Sequence, residues 1–304
     1  MSPDHAALVA EIQREWAAVG LTGSLLARNL DTGAELGFDA DLVWPLASVV
    51  KLPIALVVYD AFERGELDPA RAFDLDPDAA TSGPTGVALF RHPSRVAAED
   101  LLQLALAVSD NAATDVLLDH LGIDEVNRRI TALGFPDIVL RHAMRAIYGT
   151  SGAVAAVGLA LTGGGRTPGG GHVIDELDPS RANVGTARVL VDLLARVWSD
   201  QVASPPACAR LRSALGRQLV RHRLAVELVS DQVRVHSKTG TFLDLRHEVG
   251  VVEIGGEQPQ RVAVAVLTRS AIPAAVQMEA ELAIGHAARL AVQAVRARRT
   301  RGET

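Results

Sequence analysis

Strand-like segments stand at both ends of this chain, those near the C-terminus rich in valine, and amphipathic helical stripes fill the stretch between them. Residues 22–28 and 35–38 read as two strands joined by the tight turn Asp31-Thr32-Gly33. Near the other end, residues 232–236, 248–254 and 261–268 alternate valine with polar residues or run between glycine turns. Leu8, Val9, Ile12, Trp16 and Val19 recur at helical spacing and predict an opening helix over 7–19. A closing helix is expected over 273–298. Between the strands, residues 98–108, 112–120, 124–133 and 185–198 each carry an apolar stripe, with Gly122 and Gly134 punctuating the ends. The pattern predicts an α/β (α+β) fold in which both termini build one antiparallel sheet flanked by helices. An all-helical subdomain is inserted in it. The expected division is an α/β part from about 1–50 and 226–304 and a helical part over about 51–225. Together they form one catalytic domain spanning 1–304, a length that suits one large domain or two modest ones.

Three short strings lie on this frame: Ser48-Val49-Val50-Lys51, Ser109-Asp110-Asn111 and Lys238-Thr239-Gly240. The segment after Ser48 runs apolar through Leu52, Ile54, Leu56, Val57 and Tyr59 and stops near Gly65. It reads as a buried helix with Ser48 at its N-terminal end and Pro53 in its early turns, where proline is tolerated. A serine hydroxyl is a weak nucleophile and needs a base within hydrogen-bond reach. Residues three apart share a helix face, so Lys51 can serve Ser48. Desolvation, and a second cation such as Lys238, would lower the lysine pKa enough for it to accept a proton. Lys238-Thr239-Gly240 follows a strand, and a strand edge can hydrogen-bond an extended substrate.

In this order the three strings resemble the S-x-x-K, S-D-N and K-T-G set of class A β-lactamases and penicillin-binding proteins. The resemblance implies an active-site serine hydrolase with its site in the crevice between sheet and helical subdomain. Ser48, Lys51, Ser109 and Lys238 would then be catalytic, Ser109 shuttling a proton between Lys51 and the leaving nitrogen. Asn111, Thr239, Gly240 and Thr241 would bind substrate. Asn111 would also hold Lys51, and the backbone N–H groups of Ser48 and Thr241 would form the oxyanion hole. Gly240 would clear room for the substrate backbone, and Asp110 would face away and brace its loop. The resemblance fails at one point. The E-x-x-x-N pattern that activates the deacylating water in class A enzymes is absent, and Leu140-Arg141-His142-Ala143-Met144-Arg145 in the corresponding region contains no acid. Glu176, in Asp175-Glu176-Leu177-Asp178-Pro179 and followed by Asn183, is the candidate deacylation base, although its spacing differs. The expectation is therefore acylation faster than deacylation.

Composition narrows the alternatives. Net charge is −6 and no basic block precedes the arginines near the C-terminus (Arg296, Arg298, Arg299, Arg301), which read as a solvated helix end. A nucleic-acid partner is not expected. Cys208 is the only cysteine, which excludes an intramolecular disulfide. The scattered histidines offer no metal-ligand spacing, so neither metal nor other cofactor is expected. The glycine runs 163–165 and 169–171 lack the Lys-Ser/Thr of a phosphate loop and read as a mobile loop. The first residues lack the basic segment and apolar core of a secretory leader, and no membrane span is visible, which predicts a cytoplasmic protein. Arg246 and His247 read either as an anion contact or as solvated hairpin charges. The function expected is opening of a β-lactam or related amide through a Ser48 acyl-enzyme. The rivals are a peptidase, esterase or acyltransferase on the same fold, and a non-catalytic relative that binds a β-lactam or peptide.

Overall fold

A computed structural model describes residues 3–149, 172, 174–255, 259–272 and 277–296. The expected glycine runs 163–165 and 169–171, the start of the last helix at Pro273 and the arginines from Arg298 onward lie outside these residues. Helix α1 (Pro3–Ala18) leads into strands β1 (Leu21–Asn29) and β2 (Glu35–Phe38) and the two-residue β3 (Trp44–Pro45). The chain then passes through α2 (Lys51–Glu63), a β4 (Ala72–Leu75) and β5 (Ser94–Ala97) ribbon, α3 (Ala98–Ala107), α4 (Asn111–Leu121), α5 (Ile123–Ala132) and α6 (Arg145–Gly149). After β6 (Val184–Gly185) come α7 (Ala187–Trp198) and α8 (Pro205–Leu215). The strands β7 (Val233–Phe242), β8 (Leu245–Ile254) and β9 (Gln260–Ser270) follow, and then α9 (Met278–Val295).

The main sheet is five-stranded in the order β2-β1-β9-β8-β7, and its pairings are antiparallel. β1 lies directly against β9, with Leu25 opposite Val266, so the two ends of the chain close one sheet as the sequence pattern predicts. β9 shows why this strand is central. Val262, Val264 and Val266 enter the core with α1 and α9, while Ala263, Ala265 and Leu267 enter the core on the helical side. A strand covered on both faces reads as a continuous apolar run, not an alternating one. On the first face, Ile12 and Trp16 of α1 meet Ile284, Ala288 and Val292 of α9. Gly285 is needed there, because a Cβ would lie 2.6 Å from the Arg223 carbonyl oxygen. On the second face, α2 is buried along nearly its whole length and forms the centre of the helical side.

Three local differences from the sequence pattern bear on the site. β7 continues through Phe242, so Lys238-Thr239-Gly240 lies inside the strand and does not follow it. Ser48 sits in a 3-10 turn, Ala47–Val50, ahead of α2. Helix α8 was not expected. Its stripe, Ala207, Cys208, Leu211, Ala214 and Leu215, is built largely of small residues, and its start is set by Ser204, whose side chain accepts from Ala207 N, with prolines in the first turn. Among the described residues no helix is long and apolar enough to cross a membrane.

Candidate active site

The turn carrying Ser48 is wedged between strand β7 and helix α2. Ala47, the residue before the serine, adopts φ +46°, a left-handed conformation that is uncommon for a residue with a Cβ. Gly240 of β7 accommodates this turn. A Cβ there would come within 2.8 Å of the Leu46 carbonyl oxygen and 3.1 Å of Val49 N. The space this glycine clears is therefore filled by the protein's own serine turn, where the sequence reading gave it to the substrate backbone. Ser48 itself is half-buried, and among the described residues nothing hydrogen-bonds its hydroxyl.

One 3-10 turn on, Lys51 is almost wholly buried. Its ammonium donates to Ser109 O at 2.6 Å, to Asn111 Oδ1 at 2.7 Å and, more loosely, to Ser109 Oγ at 3.3 Å. The expected hydrogen bond to Ser48 is thus not formed, because all three donors of a charged lysine are spent on the second motif. Burial pushes the Lys51 pKa down to about 7, against the opposing pull of Asp110 and Asp115. Lys238 is completely buried and donates to Ser109 Oγ at 3.1 Å and to Thr239 O at 2.8 Å. Burial first, and the Lys51 charge second, hold its pKa well below that of a free lysine. Ser109 Oγ thus accepts from both lysines, which leaves its own proton free to donate. Ser109 is held at φ +59°, again in the left-handed region.

Asp110 braces this loop, as the sequence suggested. Its carboxylate accepts from Val87 N at 2.6 Å and from Ala113 N at 3.1 Å, capping α4. Gly86 makes that approach possible, since a Cβ there would overlap the carboxylate. Asp115, one turn further along α4, accepts from Met144 N and Arg145 N at 2.7 and 2.8 Å. Asn183 accepts from Arg141 N and His142 N. The acid-free stretch 140–145 is therefore fixed by side chains on both sides. Glu176 lies in the short turn Asp175–Leu177. Its neighbour Leu177 packs with Ala47 and Leu245, beside the serine turn. Among the described residues no hydrogen bond or ion pair engages the Glu176 carboxylate.

The strand wall holds residues that the sequence reading missed. Arg223, 1 % exposed, forms a two-pronged ion pair with the fully buried Glu281 of α9. It also donates to Gly240 O at 3.1 Å, His247 O at 2.7 Å and Thr241 Oγ1 at 2.7 Å. Gln218, 3 % exposed, accepts from Thr239 N at 2.7 Å. Arg246 and His247 are not solvated hairpin charges, for both are fully buried. His247 donates from Nε2 to Pro45 O at 2.8 Å and accepts from Thr268 N at 3.0 Å. Burial, the chief cause, pushes its pKa down to about 3, so the ring is neutral and ties β8 and β9 to the approach to the serine turn. Arg223 and Glu281 lie 58 residues apart, and no local pattern announces such a pair. Cys208 is buried in the helical core, as a bystander would be. Among the described residues no group of three or more His, Cys, Asp or Glu is placed to hold a metal ion.

A sheet closed by both termini, a helical side and three motifs joined through Ser109 define the architecture of serine β-lactamases and related penicillin-binding proteins. The chain belongs to the β-lactamase enzyme family, whose family model matches residues 7–295. It is 43 % identical over 289 residues to a β-lactamase regulatory protein, BlaB, of Streptomyces cacaoi, with 89 % of this chain and 91 % of that protein covered. Among solved structures it is similar to a β-lactamase from Sphaerobacter thermophilus, at 25 % identity and a TM-score of 0.75, covering 95 % of this chain and 97 % of that one. A β-lactamase from Chitinophaga pinensis shares the fold, at 16 % identity and a TM-score of 0.77, covering 95 % and 100 %.

Proposed function

We propose that Ser48 attacks the carbonyl of a β-lactam or related peptide-like amide and forms an acyl-enzyme, within one catalytic domain made by the whole chain. The observation that carries this reading is the hydrogen-bonded chain Lys51–Ser109–Lys238 beside the serine turn, with Lys51 titrating near neutrality. In its neutral form Lys51 has a lone pair and accepts the Ser48 proton, directly or through one water. Ser109 passes a proton on to the departing nitrogen. Asn111 holds Lys51 and the substrate amide. The tetrahedral oxyanion is received by the N–H groups of Ser48 and Thr241. Ladder geometry supports the second of these. Thr239 N points away from β8, so Thr241 N, two residues on, faces the same edge. Lys238 contributes to the polarity of this cleft, with Thr239 and Gly240 shaping its edge.

Deacylation is the slower half of this reaction. The stretch 140–145 offers no carboxylate to activate water, and Glu176 is the acid we assign to that role. A second reading has a specific observation in its favour. The relative in Streptomyces cacaoi is a β-lactamase regulatory protein, and a stable acyl-enzyme or a bound β-lactam suits a sensor as well as a hydrolase. Intact-protein mass spectrometry after incubation with benzylpenicillin tests the nucleophile, and the lifetime of the adduct separates these readings. The expected result is a mass increase of one penicillin, localised to Ser48, that decays slowly and is absent from Ser48→Ala. Undiminished labelling of Ser48→Ala refutes the nucleophile assignment, and an adduct that does not decay favours the sensor.

A further inference from the structure

The edge of β7 is where a substrate would lie in the reading above, and part of that edge is already occupied. Gln218, in the segment after α8, turns its amide oxygen onto Thr239, accepting from the backbone N–H at 2.7 Å and from the hydroxyl at 3.2 Å. The orientation of this amide is fixed by its other end. Nε2 donates to Ser237 Oγ at 2.9 Å, Glu248 Oε1 at 3.2 Å and Val220 O at 3.3 Å, and Glu248 also accepts from Leu224 N at 2.8 Å. A flipped amide would set an N–H against the Thr239 N–H, which cannot accept.

A hydroxyl carries one proton. With that proton on Gln218, Thr239 Oγ presents only lone pairs to a ligand, and its N–H is spent as well. Thr241 is the opposite case. Its oxygen accepts from the Arg223 guanidinium at 2.7 Å, and among the described residues nothing takes its proton. Of the two threonine hydroxyls on this edge, one is therefore an acceptor and the other a donor polarised by a cation.

Building on the acyl-enzyme reading, we propose that Gln218 is a specificity-determining residue. It caps the strand edge at Thr239, weakens recognition of a substrate carboxylate there, and leaves Thr241 as the hydroxyl that meets an anionic group. The class of ligand favoured is an amide or ester whose flank beside Thr239 is neutral or donates a hydrogen bond. Gln218 acts through Thr239 and touches no reacting atom.

The test compares benzylpenicillin with its uncharged methyl ester. Non-covalent dissociation constants are measured by calorimetry in a Ser48→Ala background, where the acyl step is removed. In parallel, acylation rates are measured in the intact chain. Gln218→Met keeps the length of the side chain but cannot accept from both Thr239 groups. It should improve binding of the acid relative to the ester by about tenfold, the scale of one hydrogen bond to a charged group. Gln218→Glu retains an acceptor at that position and should leave the acid-to-ester ratio unchanged or lower it. A merely structural Gln218 would move acid and ester in parallel in both variants, and that result overturns the proposal. A shift toward the acid in Gln218→Glu, or no binding of either compound in any variant, overturns it equally. Because the binding ratio is read without acylation, failure of Ser48 to label leaves this test standing on its own.

Discussion

Two clusters of buried charge flank the cleft, and they hold that charge in opposite ways. On the strand wall Arg223 meets Glu281 at hydrogen-bond distance, and the guanidinium is further satisfied by the carbonyls of Gly240 and His247. Where β7 meets the helical side, Lys51 of α2 and Lys238 of β7 are buried just as deeply, yet every hydrogen bond they make goes to a neutral oxygen. Pairing turns buried charge into scaffold. Burial without a directly bonded carboxylate brings a lysine toward neutral pH, where it can exchange a proton. The same depth of burial thus makes one cluster a scaffold and sets the reactivity of the other.

The comparison is broken most severely at Lys51. Lys51→Met removes the group placed to take the serine proton and should slow acylation by about 100- to 10,000-fold, measured by penicillin labelling. Thermal unfolding should show little loss of stability in the same variant, since an ill-solvated ammonium has been removed. On the strand wall the order of effects reverses. Glu281→Ala leaves Arg223 buried and unpaired and should cost about 3–5 kcal/mol of stability in denaturant unfolding. Replacing both partners at once, as Arg223→Met with Glu281→Leu, should recover much of that loss and still loosen Gly240 and Thr241. Gly240→Ala tests the seam between β7 and the serine turn. Its Cβ would press on Leu46 O and Val49, so about 1–3 kcal/mol of destabilisation is expected together with slower labelling. Normal labelling in that variant would mean that the serine turn tolerates displacement.

What could be read from the chain divides along the same line. The sheet closed by both termini was legible because apolar strand runs and helical stripes are local patterns. The motifs pointed to Ser48, Lys51, Ser109, Asn111 and Lys238 because together they resemble a known set, and the structure joins Lys51, Ser109, Asn111 and Lys238 by hydrogen bonds. Gln218, Arg223 and Glu281 were not legible, since their meaning arises only when segments distant in the chain meet across a fold. Gly240 was legible as a required glycine, but its reason was not. Only the structure shows that the neighbour it makes room for is the turn before Ser48. The burial of Arg246 and His247 was not legible for a related reason. A charged pair beside a turn resembles a solvated hairpin unless one knows that β9, Pro45 and α9 cover it.

The central claim is that Ser48 is acylated with the help of a buried lysine whose pKa burial has lowered to about 7. A group lowered in this way is protonated below that pH and neutral above it, so the reactive form grows as pH rises. The direct measurement is the second-order rate of penicillin labelling at Ser48 from pH 5 to pH 9. The account predicts a rate that climbs about tenfold per pH unit on the acid side, bends near pH 7 and levels above it. A labelling rate that stays flat across this range, or falls as pH rises through 7, would contradict it.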